Sequence, residues 1–162
     1  MIRAINTVGF VGLIRPAPGT WGSLVALPLA WGVHALGGFT LFALATVAVT
    51  ALGLWSIGQA LGTGHEDPPE IVIDEVAGQW IALWPVSLGA SMTGSAFWDL
   101  YPGVIAAFLF FRLFDITKPG PVGWADRKGG AFGVMADDVI AGVFAAVAVA
   151  VLAVLGHAVL LG

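Results

Sequence analysis

The sequence predicts an all-α fold: a polytopic helical membrane protein of about five membrane helices, with a polar site on its cytoplasmic face. Three observations predict it. Of 162 residues, 59% are apolar and 10% charged, and the mean hydropathy is +0.96; soluble domains run near a quarter charged. No charged side chain occurs in 16–65, 76–98 or 139–162, and each run can hold at least one bilayer-crossing helix of about 20 residues. The sixteen charges are crowded instead: eight lie in 112–142 and five in 66–75.

Each element follows from this pattern. The start, MIRAINTVGFVGLIRPAPGTWGS, lacks the small-residue cleavage site of a secretory leader and is expected to be retained. PAPGTWGS, 16–23, reads as a turn-rich lead-in. A first short helix follows and ends at Gly37–Gly38; a second covers about 39–61. The polar loop GTGHEDPPE leads to a third helix from near Ile73 to about Leu88, and GASMTGSAF reads as a small-residue turn. The fourth helix, about 101–114, is interrupted near its start by Pro102; a polar loop covers 115–135, and the fifth helix runs over about 137–161. No internal repeat or second domain is visible, so residues 1–162 are expected to form one membrane domain.

Alternating these helices across a bilayer puts Ser23, the 62–75 loop and the 115–138 loop on one side. Arg3, Arg15, Arg112, Lys118, Arg127 and Lys128 fall on or near that side, and the positive-inside rule makes it cytoplasmic. Five passes place the C-terminus outside; a re-entrant or merged first pair would return it inside. No basic patch suited to nucleic acid is present. With no cysteine, thiolate nucleophiles and disulfides are excluded.

The charges are candidates for chemistry. Asp74 and Glu75 stand at the start of the third helix and Asp137 and Asp138 at the start of the fifth, where capping and the helix dipole alone favour carboxylates. Asp115 closes the fourth helix, where a carboxylate needs a partner. Arg112, three residues earlier, shares its face. Two readings stay open for this pair: a local ion pair, or Arg112 holding a phosphate and Asp115 a metal. Carboxylates without thiolate or abundant histidine favour a hard cation, Mg²⁺ over zinc. Arg112, Lys118, Arg127 and Lys128 beside them suit an anionic ligand, and the combination fits phosphoryl chemistry. In APGTWGS, Gly19, Thr20, Gly22 and Ser23 could present backbone N–H groups to an anion, or merely make a turn and cap. GGAFG, 129–133, offers the same two readings. His34, His65 and His157 lack spaced partners, the seven tryptophans read mostly as interfacial anchors, and Asp99 falls at the opposite interface. The motifs of haloacid-dehalogenase-type, CDP-alcohol phosphotransferase and histidine-nucleophile lipid phosphatase chemistry are missing. A metal-activated water or a carboxylate nucleophile remains.

GLIRPAPGTWGS, DPPEIVIDEVAGQW, FRLFDITKPGPVGWAD and GAFGVMADDVIAG, in this order, resemble the bacterial phosphatidylglycerophosphatase A family from about Val11 to Gly142. The resemblance implies a Mg²⁺-dependent, multi-pass enzyme of the bacterial inner membrane, its site facing the cytoplasm. Its activity would be conversion of phosphatidylglycerophosphate to phosphatidylglycerol and phosphate. Carried over residue by residue, the family's polar pattern falls on Asp67, Asp74, Glu75, Arg112, Asp115, Lys118, Asp137 and Asp138, with Pro18, Gly19, Thr20 and Ser23 in the turn. Gly120 departs from the family, where K-P-x-P carries an aromatic residue.

Together these readings make Asp74, Glu75 and Asp138 the preferred Mg²⁺ ligands, with Asp137 or Asp115 completing the shell. Asp74, Glu75, Asp115 and Asp138 are the candidate catalytic groups. Arg112, Lys118, Gly19, Thr20 and Ser23 would bind the substrate phosphate, and membrane lipids would surround the helices. The alternative is a small divalent-cation or proton transporter subunit using the same carboxylates. It calls for acids near mid-membrane, whereas these collect at one end.

Overall fold

Two glycines decide how the longest apolar segment folds. The computed structural model describes residues 1–62 and 68–161, with side chains described as far as Ala158. Helix α1 (Ile2–Asn6) is followed by α2 (Pro18–Leu61), whose backbone leaves helical geometry at Gly37 and Gly38. Gly38 sits at φ +62, ψ −157, a conformation open essentially to glycine. The chain doubles back there. Gly22 packs on Val72 while Gly53 packs on its neighbour Ile73, so the arms before and after the kink lie side by side. Straight, those glycines would stand about 46 Å apart at 1.5 Å per residue. The Phe39 N–H donates to Ser91 Oγ at 3.0 Å and fastens the bend.

Helices α3 (Ile73–Ala82) and α4 (Trp84–Thr93) break at Leu83, with Pro85 in the first turn of α4. They run alongside the first arm of α2: Trp80 Nε1 donates to Ala26 O at 2.9 Å, and His34 Nδ1 and Ser87 Oγ are 2.8 Å apart. Trp84 reaches the second arm at Thr46 Oγ1, 3.3 Å away. Trp80 is therefore a core residue, 5% exposed, rather than an interfacial anchor. The predicted turn over 89–97 shrinks to the residues after α4, because 89–93 continue the helix. Asp99 there accepts from the Ala96 N–H at 3.0 Å.

Helix α5 (Tyr101–Thr117) is followed by short α6 (Pro121–Asp126), within the predicted loop, and by α7 (Gly130–Leu161). Helix α7 begins seven residues ahead of Asp137, which corrects the expectation that Asp137 and Asp138 cap it. They stand two turns inside, beyond reach of the terminal N–H groups. Asp115 lies in the last turn of α5, two residues before its end.

The core joins Phe42, Val76, Trp80, Leu83, Phe111 and Ala145 across α2, α3, α5 and α7. No strand occurs among the described residues. Among the described residues, three helical segments, Pro18–Leu61, Phe97–Thr117 and Gly130–Ala158, are long and apolar enough to cross a membrane. Their outer faces are apolar too: Leu44 is 64% exposed, Leu109 59% and Val147 59%. Water would penalise such surfaces and lipid would not.

Candidate metal and phosphate site

The site is built by a close crossing of α3 and α7. A Cβ on Gly142 would overlap Gly78 O, and a Cβ on Gly78 would collide with Asp138 O and the Phe111 ring. Only glycines permit this approach. One helical turn before each glycine stands an aspartate, Asp74 before Gly78 and Asp138 before Gly142, so the crossing carries their carboxylates together. Helix α5 adds Asp115 from the third side, with Phe111 packed against Gly78.

Five predicted acids thus converge. Asp74, Glu75 and Asp138 each offer an oxygen within 4.8 Å of the others, and so do Asp115, Asp137 and Asp138. Asp74, Asp137 and Asp138 are only 5%, 5% and 3% exposed. Buried charges on this scale need opposite charges or metal. Two cations are in place. Arg112 Nη1 lies 2.6 Å from Asp115 Oδ2, the local pair foreseen as one reading. Lys118 Nζ holds Asp126 Oδ1 at 2.6 Å and also pairs with Asp137 Oδ2. Burial alone would pull the Lys118 pKa down, but its pairing with Asp126 and Asp137 outweighs that and holds it above the usual lysine value.

Other donors and acceptors are left over. Glu75 Oε2 and Asp138 Oδ1 are buried without hydrogen-bond partners, as is Arg112 Nε; Arg112 Nη1 is close to Asp115 but poorly aligned for a hydrogen bond. An oxygen set with spare lone pairs suits a hard divalent cation, and spare guanidinium N–H groups suit phosphate oxygens. The residues present therefore fit magnesium.

The lead-in segment is helical, beginning at Pro18. Gly19 faces the site: a Cβ there would overlap Glu75 Oε1 and come within 3.2 Å of Arg112 Nη1. Thr20 is half-buried, and its N–H donates to Ala17 O at 3.1 Å. Ser23 is fully buried and its hydroxyl donates to Gly19 O at 2.9 Å within its own helix. Pro18 has no N–H to give. Of the APGTWGS residues, Gly19 is the one seen packed against Glu75 and Arg112. GGAFG is part of α7 and its turn, with Gly133 packed near Ala125 O. Asp67, Glu66 and His65 lie outside the described residues. A cavity of about 610 Å³ at the other end, between α4, α5 and α7, includes Asp99 and His157 but no gathering of acids and bases.

Two contributors were not foreseen. Asp126, at the end of α6, is the second anchor of Lys118, eight residues away across a turn and that short helix, a spacing without sequence periodicity. Gln79, one turn beyond Glu75, is fully buried with both amide atoms unpartnered.

The profile of the family described as Phosphatidylglycerophosphatase A matches residues 4–153. The chain belongs to this family. The resemblance read from its four motifs is borne out over nearly the whole length. Phosphatidylglycerophosphatase A of Haemophilus influenzae is 38% identical over 145 residues, covering 88% of this chain and 83% of the relative. That of Escherichia coli K12 is 36% identical over 153 residues, 93% and 81% of the two chains. A Bacteroides thetaiotaomicron protein named "Putative phosphatidylinositol-3-phosphatase" is 38% identical over 139 residues, 83% and 82% of the two. No solved structure matches. The phosphatidylglycerophosphatase A profile spans every element that contributes to the acid cluster, from α2 to α7.

Proposed function

We propose that this chain is a Mg²⁺-dependent phosphatase of the bacterial inner membrane. It hydrolyses phosphatidylglycerophosphate to phosphatidylglycerol and phosphate at the cytoplasmic leaflet. Family membership supports the substrate and the reaction. The observation that carries the chemistry is the convergence of five carboxylates and the Arg112 guanidinium at one end of the helices.

Asp74, Glu75 and Asp138 would hold the cation, with Asp137 or Asp115 completing its shell. Bound magnesium offsets phosphate charge and polarises the phosphoryl group. Arg112, its Nη1 held beside Asp115, would offer the Nε side of its guanidinium to the phosphate oxygens. Lys118, pinned between Asp126 and Asp137, adds a second positive charge. Gly19 lets the first arm of α2 come close enough to wall the site from water. The exposed apolar helix faces give the acyl chains a surface, so the headgroup reaches the acids without leaving the membrane.

Five passes of one membrane domain suit the arrangement: the two arms of α2, the broken pair α3–α4, α5 and α7. The kink at Gly37–Gly38 and the parallel course of α3–α4 support that count. Arg112 and Lys118 lie in the site, and Arg3, Arg15, Arg127 and Lys128 flank the same ends of the helices, which by the positive-inside rule favours the cytoplasm. Acids gathered at one end, with charge-free helices beyond, do not make an ion path.

Proteoliposomes carrying Asp74→Asn or Glu75→Gln, offered phosphatidylglycerophosphate and, separately, phosphatidylinositol 3-phosphate, test this reading. Loss of phosphate release from the first lipid, with the second a poor substrate throughout, is expected. Normal turnover by both variants, or preference for the inositol lipid, would overturn it.

A further inference from the structure

We infer that the acid cluster is built for two divalent cations rather than one, with Asp138 shared between them. The inference rests on the magnesium-dependent reading above and adds a second binding position and a bridging ligand. The two carboxylate triads, Asp74–Glu75–Asp138 drawn from α3 and α7 and Asp115–Asp137–Asp138 drawn from α5 and α7, overlap in one residue. That residue is the most enclosed of the five: Asp138 is 3% exposed, on the α7 turn locked against α3 by Gly78 and Gly142. Its Oδ1 has no hydrogen-bond partner, and neither has Glu75 Oε2 in the first triad. A carboxylate has two oxygens and about four lone pairs, so a shared aspartate can serve a cation on each side.

Charge balance points the same way. Five carboxylates face two cationic side chains, Arg112 and Lys118; Asp126, 44% exposed, sits on the water side of Lys118 and is screened. With all five ionised, a single divalent cation leaves the cluster net negative, which repels a phosphate monoester. Two leave it net positive. Each triad keeps its oxygens within 4.8 Å of one another, close enough to gather around one hard cation. The second triad is also pre-set, since Arg112 and Lys118 each fix one of its carboxylates from outside.

Manganese(II) serves as the probe, titrated into the full chain purified in detergent. Bound ion is counted by equilibrium dialysis and its spin state read by electron paramagnetic resonance. Two equivalents per chain with a spin-coupled spectrum are expected. Asp137→Asn and Asp74→Asn should each keep one equivalent and lose the coupling, and Asp138→Asn should lose both. If Asp138→Asn does not fold, the native spectrum and the other two variants still decide. One equivalent with an isolated-ion spectrum, or two without coupling, overturns the shared pair and leaves a metal-dependent phosphatase standing. No bound ion, with phosphate release that persists in chelator, overturns both.

Discussion

Gly142→Ala should damage the site although it touches no ligand and improves the helix. In an exposed helix, alanine in place of glycine stabilises by about 1 kcal/mol. Here the added methyl would overlap Gly78 O and stand 3.0 Å from its carbonyl carbon. Both are backbone atoms, so relief to ordinary contact distance pushes α3 and α7 apart by on the order of 1 Å. Overpacking of this kind costs about 1–3 kcal/mol. The displacement falls one turn from Asp74 and Asp138, whose carboxylate oxygens lie within 4.8 Å of one another. A misplacement of about 1 Å near reacting groups costs on the order of 100-fold in rate. Phosphate release by the detergent-purified protein, measured across a magnesium titration, should therefore show kcat down about 100-fold by the same estimate and half-activation at higher magnesium. Gly156→Ala, on the same helix with nothing within 4 Å of the new methyl, is the control and should change neither. Unaltered kcat and magnesium dependence in Gly142→Ala would refute the claim that the glycine crossing sets the carboxylate spacing.

Three further outcomes follow from the geometry. Arg112→Lys keeps the charge but loses the fork, and a hydrogen bond to a charged group contributes about 1.5–3 kcal/mol, so KM should rise about tenfold or more; an unchanged KM would assign Arg112 to its pair with Asp115 alone. Ser23→Ala should leave phosphate release intact, because the hydroxyl is spent on Gly19 O; a rise in KM would return it to the phosphate contacts. Lys118 has a folded pKa raised above its ordinary 10.5, so the stability it contributes is complete below that value and fades only as pH rises through the higher folded one. Lys118→Met should accordingly lower the melting temperature equally at pH 8 and pH 9, and a gap that closes by pH 9 would contradict the pairing.

Much of the fold was legible because charge and glycine are rare enough here to act as punctuation. Gly37–Gly38 marked the hairpin: the adjacent glycines are the place in the run where the backbone leaves helical geometry, while Pro28 stays within the helix. The break at Leu83 was not legible, since Pro85 fits the first turn of a new helix as well as the interior of one long helix. The start of α7 was hidden because Gly129, Gly130 and Gly133 look like a loop, whereas Gly133 is helical and packed near Ala125 O.

At the site, residue types were readable and their approach was not. Each aspartate of the crossing is followed four residues later by glycine, D-E-V-A-G at 74–78 and D-V-I-A-G at 138–142. That doublet is the local signal of two helices meeting at close quarters, too short to register as a repeat. Capping physics misassigned Asp137 and Asp138 because it needs the helix boundary, the least certain feature of a sequence. Arg112 and Asp115 were placed correctly by spacing alone, i to i+3 on one helix. Asp126 needed the tertiary fold, because only the turn after α5 brings it to Lys118.

The most direct measurement is phosphate release from phosphatidylglycerophosphate by the purified, folded chain, first with magnesium and then with excess chelator. Release that requires magnesium and stops in chelator is the predicted result. A folded protein that releases no phosphate with lipid and metal both present, or releases it equally well in chelator, would contradict the assignment of the buried acids to a metal-assisted phosphatase site.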